Sequence, residues 1–384
     1  MKVLLLGVGA VGSVIARHLA GHPAITSLTL ADRDPTRARA LAPQLRGAVA
    51  IAEADAADPD RLARLCSGHQ LVVNAILPRF NGAVMDAALA AGSHYVDLAA
   101  GEADQFRHDA AWRAAGRIAL HGMGEDPGIS NVLARAGADR LDRVDCIRVR
   151  DGEFSESGDL PLACLFSIET FIEEAVAPPR VFEEGAWRTL PPWSGFEIYP
   201  FPPPVGPQPV YALVHEEVDT LPRFIGKGIR NVDFKLALPD AMRQHLEFLD
   251  RIGMTRRDLV TVGGAMVRPL AVLATVLPQP ADLAGRVRGA AIILVEVEGR
   301  LAGRRWLHRL HAGMTHEEAD RRLHATATAL LTGTGGAAGA LAIATGRLET
   351  PGVHSPEQVD PRPLLELLAQ LGVSVEEESR PLQA

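Results

Sequence analysis

The opening run KVLLLGVGAVG, residues 2–12, constrains this chain more than any other stretch. Lys2–Leu6 reads as a strand that is apolar on both faces, as in a buried parallel sheet. It passes directly into Gly7-Val8-Gly9-Ala10-Val11-Gly12 and then into Ser13–Ala20, which has helical periodicity. In that setting each glycine has its own physical reason. Gly7 permits the tight turn, Gly9 lets the backbone approach a pyrophosphate, and Gly12 lets helix and strand pack closely. Ala10 and Val11 join the glycines as candidate cofactor-binding residues, and the N-terminal N–H groups and positive dipole end of the following helix suit phosphates.

Ser27–Ala31 predicts a second strand ending at Asp32, 20 positions beyond Gly12, where the ribose 2′-hydroxyl of NAD needs an acceptor. A carboxylate there repels the 2′-phosphate of NADP, so NAD is expected over NADP. Arg33, the next residue, is placed to stack on adenine or soften that preference. The other reading makes Asp32 a cap for the following helix. Ala48–Ala52 leads to Asp55 at the adenine edge, and Leu71–Ala75 ends in Asn74, Ala75 and Pro78 at the nicotinamide end. His94–Leu98 and Arg117–His121 add two strands, with helical segments around Gly82–Ala91 and Gln105–Ala115. This alternation predicts a Rossmann, doubly wound parallel α/β sheet over residues 1–127.

The chain has 384 residues, 47% of them apolar, enough for two domains with a sizeable core. A net charge of −8 disfavours nucleic acid and anionic membranes as partners. Cys66, Cys146 and Cys164 stand apart, which suits a reducing compartment and gives neither a disulfide framework nor a metal site. With the first strand opening at Lys2 and no apolar run near the ~20 residues of a membrane helix, a cytoplasmic protein is expected.

Gly122–Ile129 breaks the pattern and precedes a helix read at Ser130–Arg140. Asp126 in this turn is a candidate for the chemistry or, in the other reading, an N-cap before Pro127. Residues 128–325 read as an α+β substrate-binding domain with a largely antiparallel sheet. Its expected parts are a strand at Cys146–Arg150, an acidic loop from Asp151 to Asp159, and an irregular Pro-rich stretch at Leu190–Pro209. A strand at Asn231–Leu238 and a hairpin of Ala290–Glu298 with Arg304–His311 follow. His215-Glu216-Glu217 marks a strand end suited to a site. His308 and His311, three apart on one strand, face opposite sides and share no metal. Helices are expected at Glu317–Leu331 and from the glycine run 333–339 onward, with 326–384 returning to the Rossmann domain.

With these segments placed, the chain resembles the saccharopine dehydrogenase superfamily. The likeness rests on GVGAVG, VVNAILPRFNGAVMDAALAAGSHYVDLA, GEDPGISN, HEEVDTLPRF with HLEFLDRIGMT, and GRLETPGVHSPEQVDPRPLLELL. It implies an inserted substrate-receiving and dimerisation domain, homodimers, and hydride chemistry at a carbon–nitrogen bond. Asp126 matches the superfamily's DPG aspartate and Asp97 its strand-end position. With His215, these are the candidate catalytic groups. Where saccharopine reductases have Gly-Gly and Asn-Arg-Asp segments, this chain has Asp151-Gly152 and His215-Glu216-Glu217. Asp151, Glu216 and Glu217 therefore become the candidate substrate-binding acids, suited to an amine-bearing amino acid, opine or polyamine. The expectation is an NAD(P)-dependent enzyme most like lysine 6-dehydrogenase or saccharopine dehydrogenase. The alternatives are a carboxynorspermidine reductase-like enzyme and an NAD-binding regulator without turnover.

Overall fold

The computed structural model describes residues 1–383 except 100–102, 157, 159 and 161, with the backbone alone described for 103 and 104. Asp159 lies outside the described residues. The chain forms two compact units, 1–139 with 330–376, and 140–329 with 377–384.

The first unit is a seven-stranded parallel sheet. It contains β1 (Lys2–Leu6), β2 (Ser27–Asp32), β3 (Val49–Glu53), β4 (Leu71–Asn74), β5 (His94–Asp97) and β6 (Ile118–Leu120). Their order is β6-β5-β4-β1-β2-β3, and the strand Gly352–His354 adds a seventh beside β6. The order reverses between β1 and β4, so the crevice at their carboxyl ends is the switch point where such sheets bind ligands. Val3, Leu4, Leu5, Val72, Val73, Tyr95 and Val96 are fully buried, as strands covered on both faces require.

Helix Ile129–Asp139 belongs to this unit, one residue upstream of its predicted start, and so does the segment after Leu330. The glycine run 333–339 does not begin a helix. It lies inside the single helix Ala327–Ala344, because the packing there has no room for side chains. A Cβ on Gly335 would stand 2.1 Å from the Gly124 carbonyl oxygen, and one on Gly336 2.5 Å from Leu98. This helix is long and apolar enough to cross a membrane, yet 89% of it is buried in the protein core.

The second unit is built on a nine-stranded sheet in which β7 (Arg143–Glu156) is central. It pairs in parallel with Asn231–Ala237 and antiparallel with Arg288–Leu301, and the strands Arg180–Glu183, Ala186–Thr189, Glu197–Pro200, Pro207–Ala212 and Arg304–Thr315 join by antiparallel pairing. Two expectations change here. Asp151–Glu156 is not a loop, because a 14-residue partner strand holds it in register through Asp151↔Ile293 and Glu153↔Ala291. The Pro-rich stretch also supplies regular structure, with Glu197–Pro200 and Pro207–Ala212 paired at the sheet margin, where prolines are tolerated. The long hairpin closes through Ala302 (φ 47°) and Gly303 (φ 76°), the two positive-φ residues of a tight two-residue turn. Residues Glu376–Pro381 form a further strand of this sheet, instead of the expected helix.

Candidate active site

The glycine motif has the geometry that its spacing predicts. Gly7 sits at φ 91°, and a Cβ there would lie 2.6 Å from the carbonyl oxygen of Ala75 across the switch point. A Cβ on Gly12 would lie 2.0 Å from the Gly7 carbonyl oxygen, so the first turn of α1 (Ala10–Leu19) is pressed onto the loop. Gly9 has open space on its Cβ side and is the N-cap, with no side chain capping the helix. The start of α1 thus meets a cradle that a side chain at Gly9 would fill, which fits a dinucleotide's pyrophosphate.

Asp32 closes this cradle. One of its oxygens accepts from Val8 N at 2.8 Å and the other from Asp34 N at 3.1 Å, leaving lone pairs for ribose hydroxyls. It is half-buried and does not merely cap a helix, since Pro35 precedes the helix Thr36–Leu41. Arg33 is exposed next to it. Asp55 lies two residues beyond β3 and accepts from Ala57 N at 2.9 Å, shaping the turn into the next helix. Pro78 opens a short helical turn after β4. Asn74 departs from expectation: its amide faces the interior, donating to Asn81 at 2.9 Å and to the Tyr95 hydroxyl at 3.0 Å.

That interior network continues to Asp97, which is 1% exposed. Asp97 Oδ2 accepts from Tyr95 at 3.0 Å and is 2.7 Å from His121 Nδ1, while Oδ1 accepts from Gly122 N at 2.6 Å. Burial, then the Asp97 charge, pushes the Tyr95 phenol well above its ordinary range. His121 and Tyr95 escape sequence reasoning because nothing local marks them as partners of Asp97, and Asn81 because nothing local marks it as a partner of Asn74. The 122–128 turn folds back on itself through Gly124 N to the Pro127 carbonyl at 2.8 Å. Asp126 stands half-buried on this turn. Because the helix starts only at Ile129, Asp126 is not its N-cap.

The second unit holds the other candidates. His215 follows the strand Pro207–Ala212, and Glu217 opens the helix Glu217–Phe224. The ring stacks on Phe234 with centroids 3.7 Å apart, and its Nδ1 donates to Glu217 Oε2. Burial alone would lower the basicity of His215. Glu217, Glu216 and Glu174 outweigh it and raise the pKa to about 10. A ring that already holds its proton at neutral pH is no acceptor there, so the acceptor role expected of His215 becomes that of a fixed cation. Glu174 on helix Ile168–Val176 is raised to about 8, chiefly by burial and despite His215.

Register places these groups on one face. Phe234 pairs with Val149 and Leu236 with Asp151, so His215 stacks on the face that carries Asp151 and Glu153. The opposite face is charge-balanced. Arg150, 2% exposed, holds Asp233 at 2.9 Å and Glu197 at 3.1 Å, and Arg148 lies 3.6 Å from Glu296.

Residues 3–120 match the family described as "Saccharopine dehydrogenase NADP binding domain", and residues 124–373 match "Saccharopine dehydrogenase C-terminal domain". The carboxyaminopropylagmatine dehydrogenase of Synechocystis sp. is 30% identical over 97% of this chain and 96% of its own length. The carboxynorspermidine synthase of Vibrio cholerae is 26% identical over the same shares. Saccharopine dehydrogenase (L-Glu forming) of Saccharomyces cerevisiae shares the fold, with a TM-score of 0.73, 16% identity and 99% coverage of both chains. Homospermidine synthase of Legionella pneumophila, solved with NAD, aligns with a TM-score of 0.67 and 13% identity over 99% of this chain and 91% of its own. The chain therefore belongs to the saccharopine dehydrogenase family and is an NAD(P)-dependent oxidoreductase acting at carbon–nitrogen bonds.

Proposed function

We propose that this enzyme interconverts a carboxylated polyamine with its amine and aldehyde parts, through an imine. The supporting observation is the acidic face of the second unit, where Asp151, Glu216 and Glu217, with the less acidic Glu153 and Glu174, share a surface with the imidazolium of His215. A cationic amine chain complements that face, and the α-carboxylates of saccharopine do not. The names of the two similar relatives point the same way, so the lysine 6-dehydrogenase reading gives way to its carboxynorspermidine-type alternative.

When bound, the nicotinamide nucleotide supplies or accepts the hydride. Gly9, Ala10 and Val11 hold its phosphates, and Asp32 its adenosine ribose. Glu216 binds the substrate's ammonium group, while Glu217, fully buried against His215⁺, holds that ring in place. Asp126 orients the water that adds to, or leaves from, the imine carbon. Asp32 favours NAD. Asp32→Ser should raise the kcat/KM ratio of NADPH to NADH about tenfold or more, since it removes a like charge beside the 2′-phosphate. An unchanged ratio would detach Asp32 from the ribose.

The decisive assay is oxidation of carboxynorspermidine and carboxyaminopropylagmatine with NAD⁺ and NADP⁺, beside lysine and saccharopine. The polyamine derivatives should be preferred. Glu216→Gln should raise their KM about tenfold, the worth of one charge-assisted hydrogen bond. Preference for lysine or saccharopine would overturn the proposal.

A further inference from the structure

The face that carries the acids also carries a hydrogen-bonded chain running from the interior to one carboxyl. Asp151, Glu153 and Ser155 alternate along β7 and therefore share a side of the sheet. Ser155 Oγ donates to Glu153 Oε1 at 3.2 Å and lies 2.8 Å from His316 Nε2. His316 is 1% exposed, and its Nδ1 accepts from Ala327 N at 3.0 Å. That backbone bond fixes the tautomer, because a nitrogen that accepts an N–H carries no proton, so the ring proton sits on Nε2 and points at Ser155. Thr328 Oγ1 donates to the other oxygen, Glu153 Oε2, at 3.4 Å. The imidazole end of the chain is sealed and the carboxyl end is half-buried.

We propose that Glu153 is the acid–base residue of the substrate unit, exchanging a proton with the substrate nitrogen, and that Ser155 and His316 are positioning residues that hold its carboxylate. The inference rests on the amine-oxidoreductase reading and names the group that handles its nitrogen proton. In the oxidative direction the ammonium N–H bond breaks and an O–H bond forms on Glu153, leaving the free electron pair that an imine requires. The reverse transfer serves reduction.

The surroundings suit that task. Burial, then the charge of Asp151, raises Glu153 to about 8, while the Ser155 and Thr328 hydroxyls pull it down. Cys164, facing it from the 162–165 segment, is pushed up to about 12 by burial and by Glu153 itself, so it stays a neutral thiol. Burial lowers His316 to about 4 against the opposing charge of Glu317, so the ring is neutral. Glu153 is thus the member of this chain that changes charge near neutral pH, where a general acid–base group is most effective.

Two measurements on the full chain test this. In nucleotide-free protein carrying ¹³C-labelled glutamate, two carboxyls, those of Glu153 and Glu174, should titrate near 8, and one of the two signals should vanish in Glu153→Gln and move upward in Ser155→Ala, which loses a donor to the carboxylate. Ser155→Thr should restore it. With carboxynorspermidine and NAD⁺, kcat/KM should rise with pH through the same value, since oxidation needs the carboxylate form. Glu153→Gln should lower kcat by about 10²–10⁴-fold with KM little changed. Glu153 titrating in the ordinary carboxylate range, or Glu153→Gln retaining wild-type kcat and pH profile, overturns the proposal. If carboxynorspermidine is not oxidised while the titration and its Ser155 response persist, the polyamine reading falls and the acid–base assignment stands.

Discussion

Gly9→Ala should abolish nucleotide binding while leaving the fold intact, whereas Gly12→Ala should damage both. The two glycines belong to one motif but answer to different constraints. A Cβ on Gly12 would meet the Gly7 carbonyl oxygen at 2.0 Å, and since both atoms belong to backbone, either α1 or the loop must move. Overpacking of this kind costs about 1–3 kcal/mol or more, and a lowered melting temperature should accompany the loss of binding. A Cβ on Gly9 would meet nothing within 4 Å, so the apoprotein should melt as wild type does. The added methyl would occupy the space reserved for the pyrophosphate. Titration of intrinsic fluorescence with NADH and NADPH should show at least a hundredfold weaker binding, about 2.7 kcal/mol. Wild-type affinity in Gly9→Ala would mean that the cradle in front of α1 does not hold the nucleotide.

What could be read from the sequence, and what could not, divides along the range of the forces involved. β1, the glycine turn and Asp32 were legible because strand, turn and helix are adjacent in the chain and each carries its own period. The second half of β7 was not. Asp151-Gly152-Glu153 has the local chemistry of a turn, and partner strands 80 or more residues later keep it extended. Gly152 itself reflects close packing, since a Cβ there would lie 2.6 Å from Phe201 and from Ile292. The glycines of 333–339 misled for the same reason. Glycine weakens a helix locally, but here the bare helix surface lets Gly335 reach Gly124. Among the candidate residues, Asp126, His215, Glu216 and Glu217 stood out as punctuation. Glu153 and His316 did not, because their link through Ser155 spans 161 residues.

Asp97→Ala should be among the most destabilising single substitutions in the first unit, and it separates a structural aspartate from a catalytic one. Asp97 occupies the end of β5 beside the switch point, a position that suggests chemistry, yet both of its oxygens are engaged inward. Truncation would leave the Gly122 N–H, the Tyr95 hydroxyl and the His121 ring without their shared acceptor in an interior where Asp97 and His121 are each 1% exposed. Leaving buried hydrogen-bonding groups without their acceptor costs about 1–3 kcal/mol for each of them. Asp97→Asn keeps the shape but turns an NH₂ group toward donors, so it should recover only part of the loss. Hydrogen exchange should locate the damage, with protection falling first at the amides of β5, β6 and Gly122. If Asp97→Ala instead keeps its stability to within about 0.5 kcal/mol, the range of ordinary surface changes, while turnover collapses, the inward network is incidental. Asp97 then acts on the substrate. The two outcomes differ because an acceptor of three interior hydrogen bonds cannot be withdrawn without loosening the strands it joins, whereas a group poised for substrate can.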